Sequence, residues 1–527
     1  MSVDSIEKLY KNFGILADAK DKIGEHEKEY LEIITAVKGS AKEKRLASQF
    51  IVRFFKHFPN LADQAIEAQL DLCEDEDVSI RKQAIKDLPN LCKDTKQHVQ
   101  KIADILAQLL QTDESSELNV VYNSLMSVFK IDCKASLGGL FTQVLQGDDL
   151  TRERCLKFLA TKVKSLGHDV VNKESEEFLI SECKKVLQDV TADEFHYLMD
   201  ILGWTRLGQT VSGQQELVDL VAEQADIHND FDPRDPENDN VDRLIQCVRQ
   251  ALPYFSSQVD SARFVAYMCD QVLPQFGDIS SSEEGADPQL EILKLFAELC
   301  THCGTLENPD AKVEEIFERL IEYMPLPPDS EAENSTQEEP RLEFSYVECL
   351  MYGFHRLARQ SPEFLTKDAD RLKDFRFRLQ YFARGIQGYI KKLREALQGK
   401  TPEELKTEEN KIKVVALKTT SNINTLIKDL FHSPPSYKSN ISLSWKPASN
   451  SNNKDSAPSS MKRHTPITFS SGESPPKQSK GDKPQREMYT PPSGKYSNKV
   501  SGYMPQRGRG RGRPRGGFRG RGWRRIY

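Results

Sequence analysis

Apolar residues recur at the third and fourth positions from the N-terminus to "TLIKDLFHSPP", and nowhere do they alternate as a half-buried strand requires. "EKEYLEIITAVKG", "AKEKRLASQFIVRFFKHFP", "NLADQAIEAQLDLC", "DVSIRKQAIKDLPNLC" and "VQKIADILAQLLQ" follow one another with only short polar breaks. That pattern confines the body to an all-α fold. A second regularity narrows it further. Ala47, Ala84, Ser124 and Cys155 each stand four places before an apolar residue, namely Ile51, Leu88, Val128 and Leu159. The small positions are 37, 40 and 31 residues apart, which suits a two-helix repeat of the HEAT or armadillo kind. A small side chain lets neighbouring helices approach closely, and the apolar residue one turn later fills the groove. "CEDEDVSIRKQAIKDLP" reads as a second helix of such a repeat, with acids at the helix start where they favour the dipole.

Breaks in the pattern divide the chain. Residues 1–225 form a first set of repeats, and the Pro- and Asp-rich stretch at 226–240 is a hinge loop. A second set spans 241–446, interrupted by the acidic loop "PLPPDSEAENSTQEEPR". From 447 to 527, Ser, Pro, Asn, Lys and Gly dominate and periodicity disappears, so a disordered tail is expected. Charge divides at nearly the same place. From Ser433 onward, 20 lysines and arginines against 4 acids give +16; with the whole chain at −7, residues 1–432 carry −23. An acidic body does not read as a nucleic-acid groove, whereas the tail reads as a binder of polyanions.

The N-terminal "MSVDSIEKLYKNFG" lacks a basic start followed by an apolar run, so no secretory signal is expected there. No stretch approaches the roughly 18 apolar residues needed to span a bilayer. Ten scattered cysteines fit reduced thiols in an intracellular protein. Cys300 and Cys303 have CxxC spacing, but no second ligand pair stands near, so helix packing is expected rather than zinc. No phosphate loop, nucleophile elbow or paired helical histidines are present, and we expect neither an enzyme nor a cofactor.

Several stretches invite a binding role. Leu106, Leu109 and Leu110 form LxxLL, a pattern that buries three leucines in a receptor groove when it docks as a helix. Ile102 and Ile105 continue the same stripe, so we read these leucines as core. Leu372, Leu379, Ile386 and Leu393 repeat at seven, with Phe375, Phe382, Tyr389 and Ala396 in the companion register. Gly385, Gly388 and the aromatics disfavour an isolated zipper, and a long core helix is expected. Lys462 and Arg463, followed after a spacer by Lys477, Lys480 and Lys483, resemble a bipartite nuclear import signal.

The chain ends in "QRGRGRGRPRGGFRGRGWRRIY". Gly maximises chain entropy and Arg resists burial, so such repeats do not fold. Arg507, Arg509, Arg511, Arg513, Arg515, Arg519 and Arg521 can lay guanidinium planes on phosphates and bases, with Phe518 and Trp523 as stacking faces. This reads as an RGG-type RNA tail. "RGRPR" also matches the core of an AT-hook, which enters a narrow A·T minor groove, and a third reading folds the basic tail back on the acidic body.

The ordered part closely resembles the apoptosis inhibitor 5 family, also called antiapoptosis clone 11 proteins. "KEKRLASQFIVRFFKHFP", "AQLDLCEDEDVSIRKQAIKDLP", "LGGLFTQVLQGDDLTRERCLKFL", "EYMPLPP", "FSYVECLMYGFHRL" and "TEENKIKVVALKTTSNINTLIKDLFHSPPSYKS" carry the resemblance, and "PPSGKYS" extends it into the tail. It implies a HEAT-like N-terminal half, an armadillo-like C-terminal half, and a non-enzymatic protein of the nucleus, possible also in the cytoplasm. Such a protein would restrain apoptosis by binding others. The family's partners include acinus and nuclear forms of a fibroblast growth factor; a monomer without membrane attachment is expected. The family's LxxLL and zipper-like heptads match the residues named above, with Ile386 a departure from leucine. The position of the acetylated lysine found in vertebrate members is Ser257 here, so that regulation does not carry over. "PPKQSK" stands where a PPKK pair is usual, which weakens the expected import signal. An RNA-processing or export adaptor is the alternative reading.

Overall fold

The computed structural model describes residues 2–234, 239–280, 286–327, 342–401, 403–404 and 407–446. Twenty α-helices and no strand occur among them. The first half contains α1 (Ser2–Asp18), α2 (Glu27–Thr35), α3 (Ala41–Phe54), α4 (Ala62–Cys73), α5 (Val78–Leu91), α6 (Val99–Gln108), α7 (Ser115–Ile131), α8 (Cys133–Gln146), α9 (Asp149–Thr161), α10 (Lys173–Val186), α11 (Ala192–Trp204), the single-turn α12 (Arg206–Gln209) and α13 (Val211–Gln224). The second contains α14 (Asn240–Ala251), α15 (Ala262–Tyr267) continued by a π-helical turn, α16 (Pro288–Leu299), α17 (Pro309–Glu322), α18 (Phe344–Leu357), α19 (Ala369–Leu397) and α20 (Glu408–Leu430).

Successive helices pair, and the pairs stack into two layers. One layer runs through α1, α3, α5, α7, α9 and α11, then through α14, α16, α18 and α20. The other contains α4, α6, α8, α10 and α13, then α15, α17 and α19. This is a helical-repeat solenoid, with apolar stripes of both layers meeting in one continuous core. Residues 1–450 form a single compact unit; α13 and α11 both pack on α14 across the expected hinge.

Local chemistry starts the helices where the sequence suggests. Asp77 caps α5 by accepting from the Ser79 amide, and Thr191 and Glu194 form a reciprocal capping box on α11. The repeating small residues lie where helices touch: Ala47, Ala84, Ser124 and Cys155 are buried on α3, α5, α7 and α9. Gly139 plays this part in the other layer. A Cβ there would stand 2.5 Å from the Gln100 carbonyl oxygen and 2.6 Å from the Asp104 nitrogen, so α8 and α6 meet backbone to backbone.

Ion pairs cross from repeat to repeat at separations close to the repeat length. Examples are Lys44–Asp75 (2.5 Å), Arg81–Glu117 (2.9 Å), Arg152–Glu194 (2.6 Å) and Arg249–Glu291 (2.6 Å). Those with both side chains exposed, such as Arg249–Glu291, contribute little singly, about 0.2–1 kcal/mol. Their effect is to fix the register of one repeat on the next.

Candidate interaction surfaces

The LxxLL leucines do not share one helical face. Helix α6 ends at Gln108, and Leu109–Gln111 form a 3₁₀ turn. Leu106 and Leu110 are fully buried and Leu109 is half-buried, so these side chains are occupied by the core of the chain itself.

The heptad residues lie on the 29-residue α19. Leu379 and Ile386 are fully buried, Leu393 is buried and Leu372 is half-buried. In the companion register Phe375 and Phe382 are fully buried, whereas Tyr389 and Ala396 are exposed. Helix α20 already covers this seam, and Phe375 packs against Phe317 of α17 and Phe354 of α18 at 5.1 and 6.0 Å between ring centres. The stripe is therefore used within the molecule and thins toward the end of α19.

Cys300 is fully enclosed and Cys303 half-buried in the turn after α16. Burial pushes the Cys303 thiol up to about 12 and raises the Cys300 thiol well above its usual value, which keeps both protonated at neutral pH. Among the described residues no group of three or more His, Cys, Asp or Glu is placed to hold a metal ion. A cavity of about 520 Å³ opens beside the loop after α13, lined by His228, Asp230, Arg263, Tyr267, Asp270 and Lys312. Its cations are spent on structural pairs, Arg263 with Asp219 at 2.8 Å and Lys312 with Asp270. Ser257 is exposed in the loop between α14 and α15. The import-signal residues and every arginine and aromatic assigned to the tail lie outside the described residues.

The most elaborate surface was not visible as a motif. After α20 the segment 433–446 runs back across the C-terminal repeats as a strap. Three carboxylates hold it. Asp429 Oδ2 accepts from the Ser439 amide (2.7 Å) and also contacts His355 Nε2 (3.0 Å). Glu348 is wholly buried; its Oε1 accepts from Asn422 (2.6 Å) and the Ser444 amide (3.0 Å), and its Oε2 from the Ser444 hydroxyl (2.6 Å). Glu298 accepts from Trp445 Nε1 at 2.7 Å and pairs with Lys446 at 2.8 Å. Lys418 closes the far end by donating to the Leu443 and Lys446 carbonyls. Tyr437 is buried against the rings of Phe354 and His355.

Burial lowers the His355 ring below its usual value despite the Asp429 carboxylate beside it. For Asp429, burial raises the carboxyl, but the Ser439 amide and His355 outweigh it and hold the group below its usual range. The strap is thus fixed by charge-assisted hydrogen bonds to groups far away in the sequence.

These features define a class: a helical-repeat solenoid whose C-terminal repeats are tied together by a strap of the same chain. The chain belongs to the family described as Apoptosis inhibitory protein 5, whose model matches residues 6–524. It is 56% identical to apoptosis inhibitor 5 of Homo sapiens over 524 residues, covering 98% of this chain and 97% of the relative. It is 51% identical to the Drosophila melanogaster homologue over 512 residues, with 95% and 94% covered. The apoptosis inhibitor 5-like protein of Oryza sativa subsp. japonica is 33% identical over 476 residues, with 84% and 85% covered.

Proposed function

We propose that this protein restrains apoptosis as a nuclear scaffold, binding other proteins through its solenoid and RNA through its RG-rich tail. The observation that carries the reading is the near-full-length likeness to apoptosis inhibitor 5 proteins, which extends to residue 524 and so includes the tail. Nuclear proteins of the kind the family binds, acinus and nuclear fibroblast growth factor, are the partners to test first. Lys462, Arg463, Lys477, Lys480 and Lys483 supply the charges an import receptor would read.

Depleting the protein from cells that express it should raise caspase activity after growth-factor withdrawal. Re-expression should restore survival, and the variant with those five residues changed to Ala should not. Equal rescue by the cytoplasmic variant would reject nuclear action. An RNA-processing or export adaptor is the second reading, favoured by the RG repeats. Crosslinked RNA recovered with the protein, together with survival effects that follow only after RNA retention in the nucleus, would select it.

A further inference from the structure

Most arginines that brace the repeats face a carboxylate, as Arg81, Arg152, Arg249 and Arg371 do. Arg356, in the last turn of α18, and Arg359, in the turn that follows it, do not. Arg356 donates to the Thr301 carbonyl at 3.1 Å and to Asn440 Oδ1 at 3.4 Å, its guanidinium lies 5.5 Å from the Tyr352 ring centre, and its buried Nε has no partner. Arg359 donates to the Ser439 carbonyl at 3.1 Å and to the same Asn440 Oδ1 at 3.3 Å. Two guanidinium groups therefore converge on one neutral oxygen. Asp429 is the acid that acts on Arg359, but its Oδ2 is committed to Ser439 and His355. Partial burial, then the Arg356 charge, lowers the Arg359 guanidinium below its usual value, as expected of like charges held together.

Beside this pair opens a cleft of about 740 Å³, lined by Arg359, Pro362, Pro434, Pro435, Tyr437 and Lys438. Lys438 is exposed and makes no ion pair among the described residues. Arg359 and Lys438 thus border a proline-lined cleft, with Arg356 beside Arg359, in a body whose residues 1–432 carry −23.

We infer that Arg356, Arg359 and Lys438 form an anion-binding notch that takes the side-chain oxyanion of an acidic protein segment, with the neighbouring residues of that segment in the proline-lined cleft. Paired guanidinium groups suit a carboxylate or phosphate oxyanion, which can accept from both at once. RNA fits less well. The acidic body repels a polyanion, and the buried Tyr437 ring offers no open stacking face. The inference goes beyond the proposed function, because it requires neither the tail nor an apoptotic setting.

Arginine-selective labelling with phenylglyoxal, read residue by residue by mass spectrometry, tests it on the full chain without interference from tail arginines. Millimolar hexaglutamate should slow labelling of Arg359 several-fold relative to hexaglutamine. A hexapeptide with one phosphoserine, run in parallel, shows whether phosphate or carboxylate is the better oxyanion. Lys438→Ala removes an exposed side chain and should reduce the protection several-fold while leaving the circular dichroism spectrum unchanged. Equal labelling with hexaglutamate, hexaglutamine and the phosphopeptide would overturn the notch. Stronger protection by oligouridylate than by either acidic peptide would overturn the protein-segment assignment in favour of RNA.

Discussion

On α3, α5, α7 and α9 the residues at the helix contacts include Ala47, Ala84, Ser124 and Cys155; where α17, α18 and α19 meet they are Phe317, Phe354 and Phe375. Aromatic pairs occur in the first half too, as where Tyr30 stacks on Phe58 at 4.3 Å. There they supplement a stack already set by small side chains. In the second half the rings join three helices at once, and Phe364 adds a fourth member at 5.6 Å from Phe317. A π-helical turn, Met268–Val272, and a 29-residue helix further depart from the even pairs of the first half. One half is built by repetition of a contact, the other by a single cluster and a strap tying distant helices.

The largest effect should come from the cluster. Phe375→Ala empties a fully buried site and should cost about 3–5 kcal/mol, read as a lower denaturation midpoint. Leu379→Ala, on the next turn, should cost roughly 2–5 kcal/mol. An unchanged midpoint for either would show that α19 is a detachable zipper and not core.

The strap comes next. Glu348→Ala leaves Asn422 and Ser444 donors without their carboxylate and should cost about 1.5–3 kcal/mol. Amide hydrogen exchange should quicken in residues 437–446 and stay as it was in α1–α9. His355 adds a pH dependence to the same region. Its folded value lies below the ordinary 6.5, so the unfolded chain takes up the proton more readily. The stability it contributes is present in full above about pH 6.5, the unfolded value, and is lost as the pH falls below that and through the lower folded value. Strap amides should exchange faster at pH 5.5 than at pH 7.5 after correction for intrinsic rates, at about neutral to mildly acidic values where His titrates. His355→Gln should flatten that difference.

What could be read from the sequence follows this division. The spacing of Ala47, Ala84, Ser124 and Cys155 exposed the stacked layer because each repeat solves the same packing problem with the same residue size. The stripes through Leu106 and Leu379 pointed to core for the same reason. The strap gave no such signal. Tyr437, Leu443 and Trp445 are too few and irregular to form a period, and their order depends on Glu298, Glu348 and Asp429, which other helices deliver. The Arg356–Arg359 pair was equally hidden: arginines three apart ordinarily face solvent or an acid, and only the fold shows that these two meet at Asn440.

Gly139→Ala probes repetition in the first half. The added methyl meets backbone atoms of α6, which cannot swing aside as a side chain would, and a cost of about 1–3 kcal/mol is expected. Gly388→Ala is its counterpart in the second half. A Cβ added there meets nothing within 4 Å beyond its own helix backbone, so the change should be neutral or slightly stabilising through helix propensity. Equal losses at the two sites would erase the contrast.

The smallest expected effect is in the ion pairs that cross between repeats, and it bears on both halves. Arg81 grips Glu117 through Nε and a terminal nitrogen, at 3.1 and 2.9 Å, and the Glu117 side chain is only 5% exposed. Arg249 and Glu291 meet at 2.6 Å, but their side chains are 43% and 38% exposed. Solvent screens the second pair, and holding two long side chains in one geometry offsets much of its Coulomb energy. Double-mutant cycles with Arg→Gln and Glu→Gln at each pair should give coupling of about 0.2–1 kcal/mol for Arg249–Glu291, and a larger value for Arg81–Glu117. Raising the salt concentration should shrink the first coupling more than the second, because a buried partner is screened less. The opposite order would mean that geometry and burial do not set these energies, and that the second half depends on surface charge for its register as much as on its aromatic cluster.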